Sequence, residues 1–162
     1  MVSIIQKFYG ILVHGVGYLR SPFLFLIRLY WGWQFFVTGK DKLMNLDKTA
    51  EFFQGLSIPM PKLNAFMAGG AECFGGLLLL LGLGSRVVSI PLAGTMVVAY
   101  LTAHPASVKT ILTDPDTFVT QAPFLFLLAS LIILIFGPGK LSLDYAISKF
   151  WLNRIPSISP DS

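Results

Sequence analysis

Charged residues are scarce in this chain: they make up 12% of its 162 residues, whereas 54% are hydrophobic. Soluble domains carry about 25% charge, so this scarcity excludes an ordinary water-exposed globular surface. The mean hydropathy of +0.71 points the same way. We therefore predict an integral membrane protein whose first partner is the lipid bilayer, with residues 1–162 forming a single membrane domain.

Cysteine and histidine are almost absent, with one cysteine, Cys73, and two histidines. A single cysteine excludes an intramolecular disulfide and a redox centre made of paired thiols. No group of His, Cys, Asp and Glu has the spacing of metal ligands, and the sequence contains no phosphate-binding loop or nucleophile motif. We therefore expect no metal site, no haem and no iron–sulfur cluster.

No stretch of the chain concentrates positive charge, although the net charge is +4 and the isoelectric point is about 9.3. The basic residues stand singly between apolar segments. This distribution is typical of side chains that contact lipid headgroups, and it argues against nucleic acid as a partner.

Apolar sequence is abundant, in four stretches of roughly the ~20 residues that cross a ~30 Å bilayer core as a helix. They cover about residues 22–39, 63–83, 87–104 and 122–137. We predict an all-α integral membrane protein in which these stretches form a four-transmembrane-helix bundle. The last stretch carries no charge, so we expect it to face lipid as a scaffold.

Two short helices are predicted beside the first span. Residues 4–19 are apolar at helical spacing but broken by glycines, which favours a separate N-terminal helix in the membrane interface that ends at Arg20-Ser21-Pro22. In the loop after the first span, Lys48–Gln54 predicts a short amphipathic helix, capped by Asp47 and stopped by Gly55.

The remaining segments are polar. Residues 105–121 are expected to form a loop, and residues 140–162 a tail that is interfacial over 143–152 and disordered at its end. Four spans place both termini on one side, which carries six basic residues against five on the other. This small bias favours cytoplasmic termini, in the inner membrane of the cell.

Two charges of opposite sign lie inside the predicted spans, Arg28 in the first and Glu72 in the second. A charge at bilayer depth is costly without a partner or a wet cavity, and the small residues around Glu72 indicate contact with other helices. From their positions in the spans, the two side chains differ in depth by only ~7 Å. We therefore predict an Arg28–Glu72 pair as a buried polar centre. The pair either borders a ligand pocket or only fixes the helix register, and Arg28 could instead extend to the interface.

Four further side chains are candidates for binding a ligand beside this centre. Trp31 shares a helix face with Arg28 and can stack on a planar ring, and Gln34 lies at about the depth of the glutamate. Tyr100 and His104 are one turn apart on the third span, where His104 can exchange a proton near neutral pH. The alternatives are that Trp31 only packs and that His104 only ends its helix.

The order of these features resembles the DoxX family of small four-span prokaryotic membrane proteins. The resemblance rests on Gly39-Lys40-Asp41-Lys42-Leu43 after the first span, the loop FQGLSIPMP from Phe53 to Pro61, Glu72-Cys73-Phe74-Gly75-Gly76, and Arg86 before the third span. Together these segments cover about residues 22–104.

The resemblance implies a role in a membrane redox system for sulfur, thiols or quinone stress, because the family is associated with thiosulfate:quinone oxidoreductase subunits. The chain would then be a quinone-interacting component, a redox-complex subunit or homo-oligomer, with Arg28, Gln34 and His104 donating to the quinone carbonyls. Whether it is itself an oxidoreductase stays open. The alternatives are a non-catalytic assembly or interaction factor whose buried pair is structural, and a transporter, for which four spans would need to oligomerise to form a pathway.

Overall fold

The computed structural model describes residues 2–152, and every regular element in that range is a helix, as predicted. Two of the helices, α3 and α4, are long and apolar enough to cross a membrane, and α7 is a shorter apolar helix of 15 residues. The eight helices of the described range are α1 (Val2–Met44), α2 (Leu46–Gly55), α3 (Pro61–Leu81), α4 (Ser85–Ala103), α5 (Pro105–Lys109), α6 (Pro115–Val119), α7 (Ala122–Phe136) and α8 (Leu143–Leu152).

Helix α1 runs for 43 residues without interruption, so the predicted separate N-terminal helix is wrong. The helix continues through Pro22, and the residues before this proline contact the end of α7 and the segment that follows it. Arg20 donates a hydrogen bond to the carbonyl of Phe136 (2.9 Å), and the hydroxyl of Ser21 accepts one from the backbone N–H of Lys140 (2.6 Å). A proline removes one helical hydrogen bond, and both contacts lie on the two residues directly before it.

The far end of α1 also differs from the sequence prediction, which ended the first span at Gly39. The helix passes through Gly39 and the lysines after it and ends at Met44. Gly39 is buried against α3, so it is a packing point and not a helix stop. As a consequence, Lys42 is part of α1, and its side chain faces α3.

The connection to α3 contains the predicted amphipathic helix, observed as α2 and ending at Gly55 as expected. The predicted cap is wrong: Asn45 precedes the helix, and Asp47 instead accepts a hydrogen bond from Lys62 (2.8 Å). Residues 56–60 are not helical, as the prolines require.

Residues 105–121, predicted to be a polar loop, contain the short helices α5 and α6. Pro105 and Pro115 start them, because a helix tolerates proline in its first turn, where the N–H has no partner anyway. Helix α8 has the bounds predicted for the interfacial part of the tail. The predicted disordered end lies outside the described residues.

Helices α1 and α3 pack closely along their length because glycines face the partner backbone. A methyl group at Gly39 would overlap the backbone of Cys73, and one at Gly76 would overlap the backbone of Phe36. The missing side chains let the two backbones approach, as small residues do between helices in lipid. These contacts show that α1 and α3 are antiparallel, with Gly39 level with Cys73.

Helix α4 packs against α3 and α7, and α7 also contacts α1. A core cluster takes at least one side chain from each of these four helices: Phe35, Leu79, Leu92, Met96 and Ile133. At the ends of these helices that lie away from α2, the segment before α8 and the start of α8 join the helices to one another. The carboxylate of Asp144, in the first turn of α8, accepts hydrogen bonds from the backbone N–H groups of Gly84 (2.7 Å) and Ser85 (3.0 Å), which satisfies donors at the start of α4.

We expect Gly76→Ala to lower the free energy of unfolding in detergent by ~1–3 kcal/mol, since the added methyl forces α1 and α3 apart. The matched control is Gly70→Ala on the same helix, where an added methyl meets no atom within 4 Å. Thermal unfolding should show a lower midpoint for Gly76→Ala alone. Equal midpoints for the two variants would mean that the close approach of the helices does not occur.

Candidate functional site

Glu72 is the buried carboxylate of α3, with 2% of the residue exposed, and its partner is Lys42 on α1. The ammonium of Lys42 donates to both carboxylate oxygens. The hydroxyl of Thr38, one helical turn before Lys42, lies 3.2 Å from Oε2 of Glu72 and 2.9 Å from the carbonyl oxygen of Gln34. Lys42 therefore neutralises the carboxylate from α1, as a buried charge requires, and the Thr38 hydroxyl lies beside it on the same face.

The predicted Arg28–Glu72 pair is wrong, although both residues are buried as expected. The register of α1 against α3 explains the error. Gly39 lies level with Cys73, so Glu72 is about eleven residues, or ~17 Å, from Arg28 along α1. The sequence-based difference in depth of ~7 Å was counted from Pro22 and Leu63, taken as lying at opposite surfaces of a ~30 Å core. Helix α1 instead extends beyond both bounds of the predicted span.

Arg28 instead lies at the opposite end of the helices, under the segment that precedes α8. Its residue is 1% exposed, and Nη2 donates to the carbonyl of Leu141. The guanidinium fits over Gly82, where any side chain would overlap Nη1. Nε and Nη1 have no hydrogen-bond partner among the described residues. Arg28 thus ties the C-terminal segment to α1 and α3, and it does not neutralise the carboxylate.

A chamber of about 510 Å³ adjoins the Lys42–Glu72 pair. Side chains from α1, α2, α3, α4 and α7 line it, and most of them are apolar, which is typical of sites for small organic ligands. The polar residues of its wall are Thr38, Lys42, Asn64, Glu72, Thr95 and Thr102.

Lys42 can offer this chamber a hydrogen-bond donor. An ammonium has three N–H groups, and the two oxygens of Glu72 account for two of them. Within residues 2–152 no other partner of the ammonium is observed, and 30% of the Lys42 side chain remains exposed. The pair therefore combines a charged donor and a carboxylate acceptor on one wall of an apolar chamber.

The four side chains predicted to bind a ligand do not line the chamber. Trp31 packs edge-to-face on Phe126, with ring centroids 4.9 Å apart, so it is separated from the chamber by that ring. Gln34 is half-buried, and its backbone carbonyl accepts a hydrogen bond from Thr38. The position of Trp31 therefore agrees with the alternative that this side chain only packs against its neighbours.

Tyr100 and His104 lie at the loop end of α4. The hydroxyl of Tyr100 donates to the carbonyl of Phe118 (2.9 Å), and the two rings stack at 4.3 Å between centroids. His104 follows the last residue of α4 and is half-buried beside the Tyr100 ring. The Tyr100 side chain therefore joins α4 to α6, and the His104 ring lies against Tyr100 at the end of α4.

Sequence reasoning missed Lys42 and Thr38 as the partners of Glu72. The signal was available: the helix face that contains Arg28, Trp31 and Thr38 continues after four more residues to Lys42. It was hidden because a glycine followed by charged residues usually marks the end of a span.

The geometry defines a class of protein. It is helical, with apolar side chains on its exposed surfaces, and an apolar chamber adjoins its buried ion pair. Comparison with known proteins agrees. The sequence model of the DoxX family matches residues 23–105, which is half of the chain. The chain belongs to the DoxX family and is a membrane protein.

Relatives with most of their length in common point to the same family. The chain is 31% identical over 124 residues to a Bacillus subtilis protein named "Putative oxidoreductase CatD", covering 76% of this chain and 86% of the relative. It is 33% identical over 150 residues to an uncharacterized membrane protein of Mycobacterium tuberculosis, covering 85% and 87%. An uncharacterized Haemophilus influenzae protein is 26% identical, covering 86% and 91%. No solved structure matches the chain.

Replacing Lys42 should lower the free energy of unfolding more than replacing Glu72. Lys42→Met leaves a buried carboxylate without its cation, so we expect a loss of ~3 kcal/mol in the free energy of unfolding, at the low end for buried pairs because Lys42 is partly exposed. Glu72→Gln should cost less, since the freed ammonium can turn toward water.

Thermal unfolding in detergent measures both variants. The control is the Lys62–Asp47 pair, whose side chains are 69% and 83% exposed, so Lys62→Met should leave the midpoint unchanged. If Lys42→Met were as harmless as Lys62→Met, Glu72 would have no need of its observed partner.

Proposed function

We propose that α1, α3, α4 and α7 cross the inner membrane of the cell and that both termini lie in the cytoplasm. Large apolar side chains cover the outward faces of these helices, for example Phe23, Phe74, Val98 and Leu125. Such broad apolar surfaces suit lipid and not water. Helix α7 would extend only ~22 Å, so it requires slight local thinning of the bilayer.

Reporter domains fused after Phe136 and within residues 105–121 should lie on opposite sides of the membrane, the first of them in the cytoplasm. Alkaline phosphatase and green fluorescent protein report the two sides, because each is active in only one compartment. If both positions report the same side, α7 does not cross.

The second part of the proposal concerns the ligand: the chamber binds the ring of a quinone. The observation that carries it is the Lys42–Glu72 pair on the wall of an otherwise apolar chamber of about 510 Å³. Such a volume accommodates a small organic ring, and few polar groups are needed to orient it. The name of the Bacillus subtilis relative, which contains the word oxidoreductase, is consistent with a redox ligand.

The pair suits both forms of such a ligand. The remaining N–H of Lys42 can donate to a carbonyl oxygen of the oxidised ring. A carboxylate oxygen of Glu72 can accept from a hydroxyl of the reduced ring, since each oxygen has two lone pairs. Phe126 and Met96 contribute apolar surface to the same chamber. In this proposal the chain is the quinone-interacting component of a membrane redox system, and partners supply the other half-reaction.

The test uses the double variant Lys42→Met/Glu72→Met. Apolar residues of similar volume can replace a buried pair with little loss of stability, so the variant should fold with a midpoint near that of the wild type. Its affinity for a water-soluble benzoquinone should fall about 10- to 100-fold, which corresponds to one charge-assisted hydrogen bond. Quenching of tryptophan fluorescence in nanodiscs measures the affinity, with Trp31 as the reporter next to Phe126.

Gln34→Ala and Cys73→Ser are the controls, since neither residue lines the chamber, and both should bind as the wild type does. Absence of quinone binding by the wild type, with a stable double variant, would contradict the proposal. The pair would then be structural, as in an assembly or interaction factor.

A further inference from the structure

Helices α3 and α4 face each other along a line of contact that we call the seam. The seam is tightly packed at one end and open at the other. At the tight end, Leu92 fits against Gly75, and a methyl group on that glycine would lie 3.0 Å from the leucine side chain. Toward the α2 end the facing residues are small, with Ala68 and Ala71 on α3 and Gly94 on α4, and all three line the chamber. The seam therefore widens into the chamber because no large side chain fills it.

The open part of the seam reaches the outer surface of the molecule. Met67 and Val98 line the chamber from the two sides of the seam and are also 60% and 52% exposed. Gly94, one helical turn before Val98 on α4, is exposed, and a methyl group added there would meet no atom within 4 Å. This opening lies on the apolar flank of the helices, which faces lipid in the proposed topology.

The end of the chamber nearest α2 has a different cover. Phe53 of α2 and Leu56 and Ile58 of the following turn line the chamber there, and all three are half-buried. Apolar side chains thus cover the chamber on the loop side, whereas on the flank the chamber opens beside the exposed Gly94. The easier path for an apolar molecule is the path through the seam.

We propose that the α3–α4 seam is the lateral entrance of the chamber and that its ligand is an amphiphile: a polar ring held at Lys42 and Glu72, with an apolar chain that leaves through the seam into the bilayer. This inference rests on the proposed function and adds the class of ligand and its route. The polar groups of the pair lie on the inner wall, and the apolar surface continues from there past Gly94 and Val98 to the outside.

Gly94→Leu tests the inference, because the added side chain would occupy the seam where the chain of the ligand would lie, and its Cβ meets no atom within 4 Å. Gly70→Leu is the matched control: Gly70 also has open space around it but does not line the chamber. Both changes replace a helical glycine by leucine, so their effects on helix propensity are alike.

Two probes are compared at equilibrium in nanodiscs of one composition: a dimethoxy-methyl-benzoquinone with a decyl chain, and the same ring without a chain. The reporter is Trp31 in a protein with Trp33→Phe and Trp151→Phe. For Gly94→Leu, we expect the dissociation constant of the decyl compound to rise about tenfold, since a displaced chain loses apolar contact worth about one order of magnitude in affinity. The dissociation constant of the chainless ring should stay within about twofold, because a narrowed entrance changes rates and not the equilibrium of a ring inside the chamber.

Three results would overturn the inference. If Gly94→Leu and Gly70→Leu bind the decyl compound equally, the chain does not lie in the seam. If Gly94→Leu weakens both probes alike, Gly94 belongs to the site of the ring and not to its entrance. If the wild type binds the chainless ring but gains no affinity from the decyl chain, the ligand is not an amphiphile, and the proposed function stands without this route. Failure of the wild type to bind either ring is the separate outcome that contradicts the proposed function.

Discussion

A carboxylate buried to 2% exposure is the constraint on which the rest of this structure depends. Glu72 needs a cation, and Lys42 can supply it only if α1 stays helical beyond the glycine at position 39. The length of α1 and its register against α3 together bring the two side chains within reach of each other. Thr38 completes the arrangement, since it lies one turn earlier on the same face.

Small residues of α3 have opposite consequences on its two sides. Toward α1, the backbone of that helix occupies the space beside glycines such as Gly76, and the two helices are in close contact. Toward α4, Ala68 and Ala71 line the chamber with Gly94. A helix that packs tightly on one side and leaves room on the other places its buried charge at the edge of a cavity.

The two buried charges belong to opposite ends of the molecule and have different surroundings. Glu72 adjoins the chamber, whereas Arg28 is enclosed by Gly82, the carbonyl of Leu141 and the segment before α8. Near Arg28, Asp144 satisfies the first N–H groups of α4. The arginine end is therefore an anchor for the C-terminal segment, and the glutamate end carries the groups that can bind a ligand.

The sequence alone determined the all-helical class, the family, the membrane environment, the α2 and α8 helices and the burial of Arg28 and Glu72, because composition, helical periodicity and proline positions are local properties. Only the tertiary structure decided which charge pairs with Glu72 and which residues enclose the chamber. Both depend on helix register, and a shift of a few residues moves a side chain by several ångströms along the axis. Gly39 shows the reason: its sequence context resembles a helix stop, but the backbone of Cys73 packs against it and α1 continues to Lys42.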